Sequence, residues 1–422
     1  MKDRTFLKGR GKAGQALALA LIMAVVLFLA ALTLPASSSV SPTTNARVMH
    51  GTERTGMISS SSAYTSYLPL VFKSPPVPQV VATVSLPTAE CPNAVGTNAV
   101  SGYAYVANSF SANVNILSGT GVLATVTTGD QPTSFASEPY SDRIYMTNLL
   151  DHSVSVFERA SVVTTISTHD EPFAIAFNPV YDYLYVTNLL GTVQVFHDTT
   201  AVADIKHAGW PLSAAVNPHT GLTYVGDWNN NCVIAISDTQ VVATVDIGWR
   251  PRDVEVDPNT QIVYVSNSES GTAPSGYPKH NLSVMSDTQV IATFTTSSGS
   301  RDVAVDPTSG YVYAVNPQDN TVTVLHHTEL VGTLSVGEKP WAVAVNPNTG
   351  YAFVANRDSD TVTILRHGVI VATRPTGDEP VAVGVDTLNN YVYVANRASE
   401  KVCDKYDVCR WRCHPTTVTV LR

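Results

Sequence analysis

The stretch "PWAVAVNPNTGYAFVAN", Pro340–Asn356, decides the fold. Its "AVAV" core alternates in the manner of a strand with two different faces. The Asn-Pro pair and the following Gly are turn chemistry, because Pro fixes φ and Gly accepts a positive φ. "YAFVAN" is then a second strand. The block aligns without gaps with "PFAIAFNPVYDYLYVTN" (Pro172–Asn188) and with the more divergent "PNAVGTNAVSGYAYVAN" (Pro92–Asn108). "TVTVL" (Thr321–Leu325) and "VVATV" (Val241–Val245) are the third and fourth strands of the unit. The four are named A to D from the inside outward.

Working outward, the second strand ends at Asn108, Asn148, Asn188, Asp227, Asn267, Asn316, Asn356 and Asn396. A strand-rich unit repeating about every 40 residues means a propeller or a solenoid. The chain stops at Arg422, just past the eighth third strand, so the eighth copy lacks a fourth. A matching segment, "VVATVSL", lies instead at Val80–Leu86, ahead of the first copy. An N-terminal D strand completing the last unit closes a ring and removes its open edges. A solenoid would need capping repeats, and none is visible. The sequence therefore predicts an all-β, eight-bladed propeller of four-stranded blades over residues 77–422.

The motifs "YVTN", "YVAN", "TVTV" and "VAVNPNTG" resemble the YVTN-type β-propeller repeats of surface-layer and periplasmic propeller proteins. That resemblance spans residues 77–422 and implies the fold. The relatives it brings to mind include cell-surface proteins, propeller lactonases and the haem d1-binding propeller of a nitrite reductase. No catalytic residue of theirs has a matching position here, so none is transferred.

Among 422 residues charged side chains are sparse, and the formal net charge is −9. Without a basic stripe, nucleic acid is a poor candidate partner, and none is expected. Residues 1–36 join a basic head (Lys2, Arg4, Lys8, Arg10, Lys12) to a long apolar run. They read as a secretory signal, or as an N-terminal membrane anchor if uncleaved. Either way the remainder is expected to be exported, extracellular or at the cell surface. Residues 37–76 are rich in Ser, Thr and Pro and read as a flexible linker. Within them "SYLPLVFK" (Ser66–Lys73) resembles a segment that precedes the folded part of secreted bacterial proteins.

Function is sought where the copies differ. Antiparallel blades put the B–C and D–A loops on one face, here the top. Two B–C loops are enlarged, one at Ser268–His280 and one between Arg397 and Thr416. D–A loops bring Trp210 and Trp249 to successive blades, with Arg250, Arg252 and Arg301 close behind. Such residues suit stacking and pairing with a glycan, a small anion or a protein surface. The competing expectation is a solvated rim with its tryptophans packed on backbone. The repeated Asn is expected to cap the B–C turn, and the repeated Tyr to pack between blades. No HExxH, CxxC, GxSxG or phosphate loop is present, so no catalytic residue is assigned. The expected role is an exported, non-enzymatic binding or scaffold module. A redox or hydrolytic propeller enzyme is the alternative.

Three of five cysteines lie in "CDKYDVCRWRCH", Cys403–His414. Export favours disulfides. Cys91 follows the N-terminal D strand on the same face, and every complete pairing of Cys91, Cys403, Cys409 and Cys413 joins Cys91 to the insertion. Cys232, on a C strand, is left as a lone thiol. No cofactor is expected on this reading. The alternatives are zinc, with Cys403, Cys409, Cys413 and His414 as donors, or haem at "CRWRCH", taking Cys409, Cys413 and His414.

Overall fold

Each copy folds into a four-stranded antiparallel sheet; the first is Pro92–Asn98, Tyr103–Asn108, Asn113–Ser118 and Gly121–Thr127. The structure, a computed structural model, describes residues 75–86, 88–206, 209–267, 281–295, 299–403, 409–413 and 416–422. Among these are eight such sheets, with their A strands packed one against the next in a closed circle. The eighth takes its outer strand, Val80–Ser85, from the N-terminal end. It pairs with Thr417–Leu421 from Val80↔Leu421 to Ser85↔Thr417. The predicted ring closure is therefore the observed one. The molecule is an eight-bladed β-propeller. The signal or anchor, nearly all of the linker, and the Ser268–His280 insertion lie outside the described residues.

Strands B and C are the buried ones: "YVYVAN" (Tyr391–Asn396) and "TVTVL" (Thr417–Leu421) are buried at almost every position. Their side chains meet those of the next blade in interblade apolar layers, such as Tyr313, Val315, Val322 and Val324 against Val343, Ala352, Val354 and Leu365. Strand D alternates and leaves residues such as Val242, Ile291 and Val331 exposed at its outer end.

The repeated polar letters are structural. The Asn amide ending strand B reaches past the B–C turn and donates to two hydroxyls on strand C. Asn356 donates to Thr361 at 3.1 Å and Thr363 at 2.8 Å, and Asn396 donates to Thr417 and Thr419, both at 3.0 Å. Asn and "TVT" are thus one device, a cross-strand clamp rather than a simple turn cap. The D–A glycine packs against it: a Cβ on Gly337 would sit 2.7 Å from Asn356 Cβ. Blade 4 shows the converse. Asp227 replaces the amide and accepts from the N–H groups of Trp210, Asn229 and Asn230, each at 3.1 Å. Engaged as an acceptor on this side, it faces Cys232 where the other blades have Ser, Thr or Asn. The Cys232 thiol is buried, and burial with Asp227 and Asp246 nearby pushes its pKa up to about 12, which makes it unreactive.

The repeated tyrosines bolt blade to blade. Tyr105 donates to Arg159 O at 2.7 Å and Tyr185 to Asp238 O at 2.6 Å, each carbonyl lying in the C–D turn of the next blade. Both turn residues hold a positive φ, 54° and 53°. We expect Tyr185→Phe to cost about 1–2 kcal/mol, because it strands a carbonyl while keeping the ring. Urea unfolding of the variant checks this; an unchanged midpoint would make the hydroxyl idle.

The inserted loop of blade 8 is a hairpin, Ser399–Cys403 with Cys409–Cys413, that pairs Cys403 with Cys409 in register. Cys413 at its end is joined to Cys91 by a disulfide, with Cα atoms 5.1 Å apart across 322 residues of sequence. The bond stands beside the Thr416 hydroxyl, which donates to Leu86 O at 3.0 Å and Ala89 O at 2.9 Å. The expected clasp between the chain ends is present, and such a bond fits an oxidising compartment. No helix among the described residues is long and apolar enough to cross a membrane.

Candidate binding site at the channel mouth

The turn from strand D to strand A sets the geometry of the mouth. Its last residue before Pro has a left-handed backbone at Gln131 (φ 51°), Arg250 (60°), Lys339 (52°) and Glu379 (51°). The A–B register then slips directly after that proline, between Pro251 and Asp253 and between Pro340 and Ala342. A bulge of this kind re-aims one side chain. The residue after the proline is Phe173, Leu212, Arg252 and Trp341 in blades 3, 4, 5 and 7, and Arg301 holds the equivalent place in blade 6. An apolar arc thus passes into a cationic one and then into an aromatic one.

The five residues singled out from sequence fall into two neighbouring groups. In the first, Trp210 stacks on Trp228 with centroids 5.3 Å apart and planes 12° apart. The Arg250 guanidinium lies 4.1 Å over Trp228 and 5.0 Å from Trp249. Trp228 N–H donates to Trp210 O at 2.9 Å, which fixes the B–C loop against the D–A loop and makes the stack possible. These tryptophans are half-buried and partly occupied by one another, closer to the packed rim than to free platforms.

The second group is the mouth itself. Arg301 lies 3.5 Å over the Trp341 ring, and its Nε donates to Trp341 O at 3.1 Å. Arg357 approaches the same ring at 5.0 Å and reaches Glu379 at 3.5 Å. Burial and the nearby Arg252 and Arg357 charges hold the Arg301 pKa well below the usual arginine range. Burial also lowers Arg252, to about 10, and Arg397. Among the described residues no carboxylate lies within ion-pairing distance of Arg252 or Arg301. Asp253 and Asp302 offset part of the charge of both guanidiniums without pairing closely with either, and guanidiniums so placed attract an anion.

Below the mouth lies a channel cavity of about 590 Å³. Asp253, Glu255 and Asp302 form one wall, and Thr97, Thr133 and Ser134 come from the opposite blades. Burial raises the pKa of both Asp253 and Asp302, which share a hydrogen bond; the neighbouring Asp302 adds to the rise at Asp253, whereas the bond moderates it at Asp302. Each also reaches across to the next blade: Val303 N–H donates to Asp253 at 3.2 Å, and Val343 N–H to Asp302 at 2.8 Å. Glu255 has no hydrogen-bond or ion-pair partner among the described residues. Burial, then Asp302 and Asp257, push its pKa up to about 8.

Trp228, Trp341, Arg357 and the three channel acids were missed from sequence. One signal was available: aligned A strands read "RDVEV" and "RDVAV" in blades 5 and 6 where "WAVAV" stands in blade 7. Among the described residues no group of His, Cys, Asp and Glu has the arrangement of a metal site. Cys413, one of the donors considered for zinc or haem, has its sulfur in the disulfide. His414 lies outside the described residues.

Comparison with known proteins adds a family likeness. Residues 245–369 and 277–404 match the family described as "Lactonase, 7-bladed beta-propeller". The likeness is to a propeller family. It covers the second half of the ring, here part of eight blades rather than seven. Among curated proteins there is no match. Kuenenia stuttgartiensis hydrazine synthase is a similar solved structure, at a TM-score of 0.55 and 18% identity. The alignment covers 67% of this chain and 98% of that one, and at that identity it speaks to fold alone.

Proposed function

We propose that this is an exported, YVTN-type binding propeller that takes a small organic anion at its top-face mouth. The observation that carries the reading is the nearness of Arg252 and Arg301, half-buried and neither in a close ion pair, beside the Trp341 face. Guanidiniums would bind the carboxylate in charge-assisted hydrogen bonds, and Trp341 with Phe173 and Leu212 would cover an apolar body. The Trp210–Trp228–Arg250–Trp249 stack is the outer lip of the same surface.

Benzoate, with one carboxylate and one ring, is a direct probe. It is expected to bind at low ionic strength, with Arg301→Gln weakening it about ten- to hundredfold, the worth of a hydrogen bond to a charged group. Calorimetric titration of wild type, Arg252→Gln and Arg301→Gln measures this. Equal affinity in all three would sink the reading.

A hydrolytic enzyme is the second reading, supported by the Asp253–Asp302 pair and the lactonase likeness. Two carboxyl groups sharing one proton offer a base for water and an acid for a leaving oxygen. Acid release from δ-valerolactone, abolished by Asp302→Asn, would favour it over simple binding.

A further inference from the structure

Two observations at the mouth are not used by an anion alone. The first is the free carboxyl of Glu255, in the cavity and without a protein partner. The second is its depth, since the arginines stand at the heads of the A strands of blades 5 and 6, above the level of Glu255. Along strand A of blade 5, Glu255 lies three residues below Arg252, roughly 10 Å of extended chain. Asp253 and Asp302 differ from Glu255, since backbone N–H groups and their mutual hydrogen bond already engage them.

We propose that the channel ligand is an elongated zwitterion, an ω-amino acid or a peptide-like molecule. Its carboxylate lies on Arg252 and Arg301 and its ammonium on Glu255. This rests on the anion reading above and adds the second charge. The cation site has a carboxylate acceptor and neutral hydroxyls opposite, at Thr97 and Thr133. A methylene chain spans that depth between the two charged ends. The charged and titratable groups around Glu255 are Arg252, Asp253 and Asp257 on its own strand and Arg301 and Asp302 on the A strand of blade 6. Tyr264 lies on strand B of blade 5, Tyr224 and Asp227 on strand B of blade 4, and the A strand of blade 4 (Pro211–Val216) brings none.

An ammonium beside Glu255 favours its ionised form, so binding near neutral pH releases close to one proton. The test compares 6-aminohexanoate, hexanoate and hexylamine on the whole exported chain, by calorimetry at pH 7 in buffers of different ionisation enthalpy. We expect 6-aminohexanoate to bind at least tenfold tighter than hexanoate and to release a proton. Glu255→Gln should reduce it to the hexanoate level with no release, and Arg301→Gln should weaken both acids alike.

If hexanoate binds as well as 6-aminohexanoate and neither releases a proton, the zwitterion is overturned and the anion reading stands. If hexylamine matches 6-aminohexanoate and Arg301→Gln changes nothing, both readings fall. Binding of none of the three overturns both as well. Thermal melts confirm that each variant is folded, and the intact anion response of Glu255→Gln serves as its internal control.

Discussion

Reduction of the Cys91–Cys413 disulfide is expected to lower the unfolding free energy by about 4–5 kcal/mol, the largest single effect open to a covalent change in this ring. The bond closes a loop of 322 residues, and the entropy it removes from the unfolded chain grows with loop length. Its position adds to the effect. Strand D of blade 8 is held to strand C by hydrogen bonds, and its upper end is anchored by Leu86, Ala89 and Thr416 beside the bond. Without the disulfide, Val80–Ser85 should fray before the D strands of the other blades. Urea unfolding of Cys91→Ser/Cys413→Ser gives the first number, and amide exchange over Val80–Ser85 tests the second. Unchanged stability and exchange would mean the paired strand closes the ring unaided.

Glu255→Gln should stabilise the protein at pH 9 and leave it unchanged near pH 4.5. The sign follows from linkage. The folded pKa, about 8, exceeds the ordinary 4.5, so between those values the folded state holds a proton the unfolded chain has lost. Stability is fully present below 4.5 and is lost as pH rises through about 8, at up to about 1.4 kcal/mol per pH decade. Water in the channel screens part of this, so we expect about 2–4 kcal/mol in all. Melting curves of both proteins from pH 4.5 to 9 should diverge steadily as pH rises. Parallel curves would place an undisturbed carboxylate in open solvent.

Much of the architecture was legible because a repeat states each rule eight times. The alternating "AVAV", the Asn-Pro-Gly turns and the displaced "VVATV" gave strand order and closure. Periodicity also exposed Asn356 and Tyr185 as scaffold, since a residue present in nearly every blade has little to do with one ligand. The clamp chemistry itself was not legible: Asn356 and Thr363 are partners only once strands B and C pair. The mouth was half legible. Trp210, Trp249 and Arg250 stood out as departures from the repeat. Their assembly with Trp228 did not, because it depends on a loop-to-loop hydrogen bond. Asp253 and Asp302 lie in different copies, and only the circular packing of A strands brings their carboxyls together. Arg301 seemed a neighbour of Trp249 by sequence order; its ring partner is Trp341, one blade further on.

The bulge that opens strand A has an evolutionary meaning. In seven of the eight blades it reserves one position at the head of strand A and leaves the interblade layers untouched. The rim is therefore written like an eight-letter word in which any letter can be respelled without rebuilding the page. Here it runs from Phe and Leu through two Arg to Trp. A ring of this kind can wander among ligands by single substitutions while its Asn–Thr clamps and tyrosine bolts stay fixed.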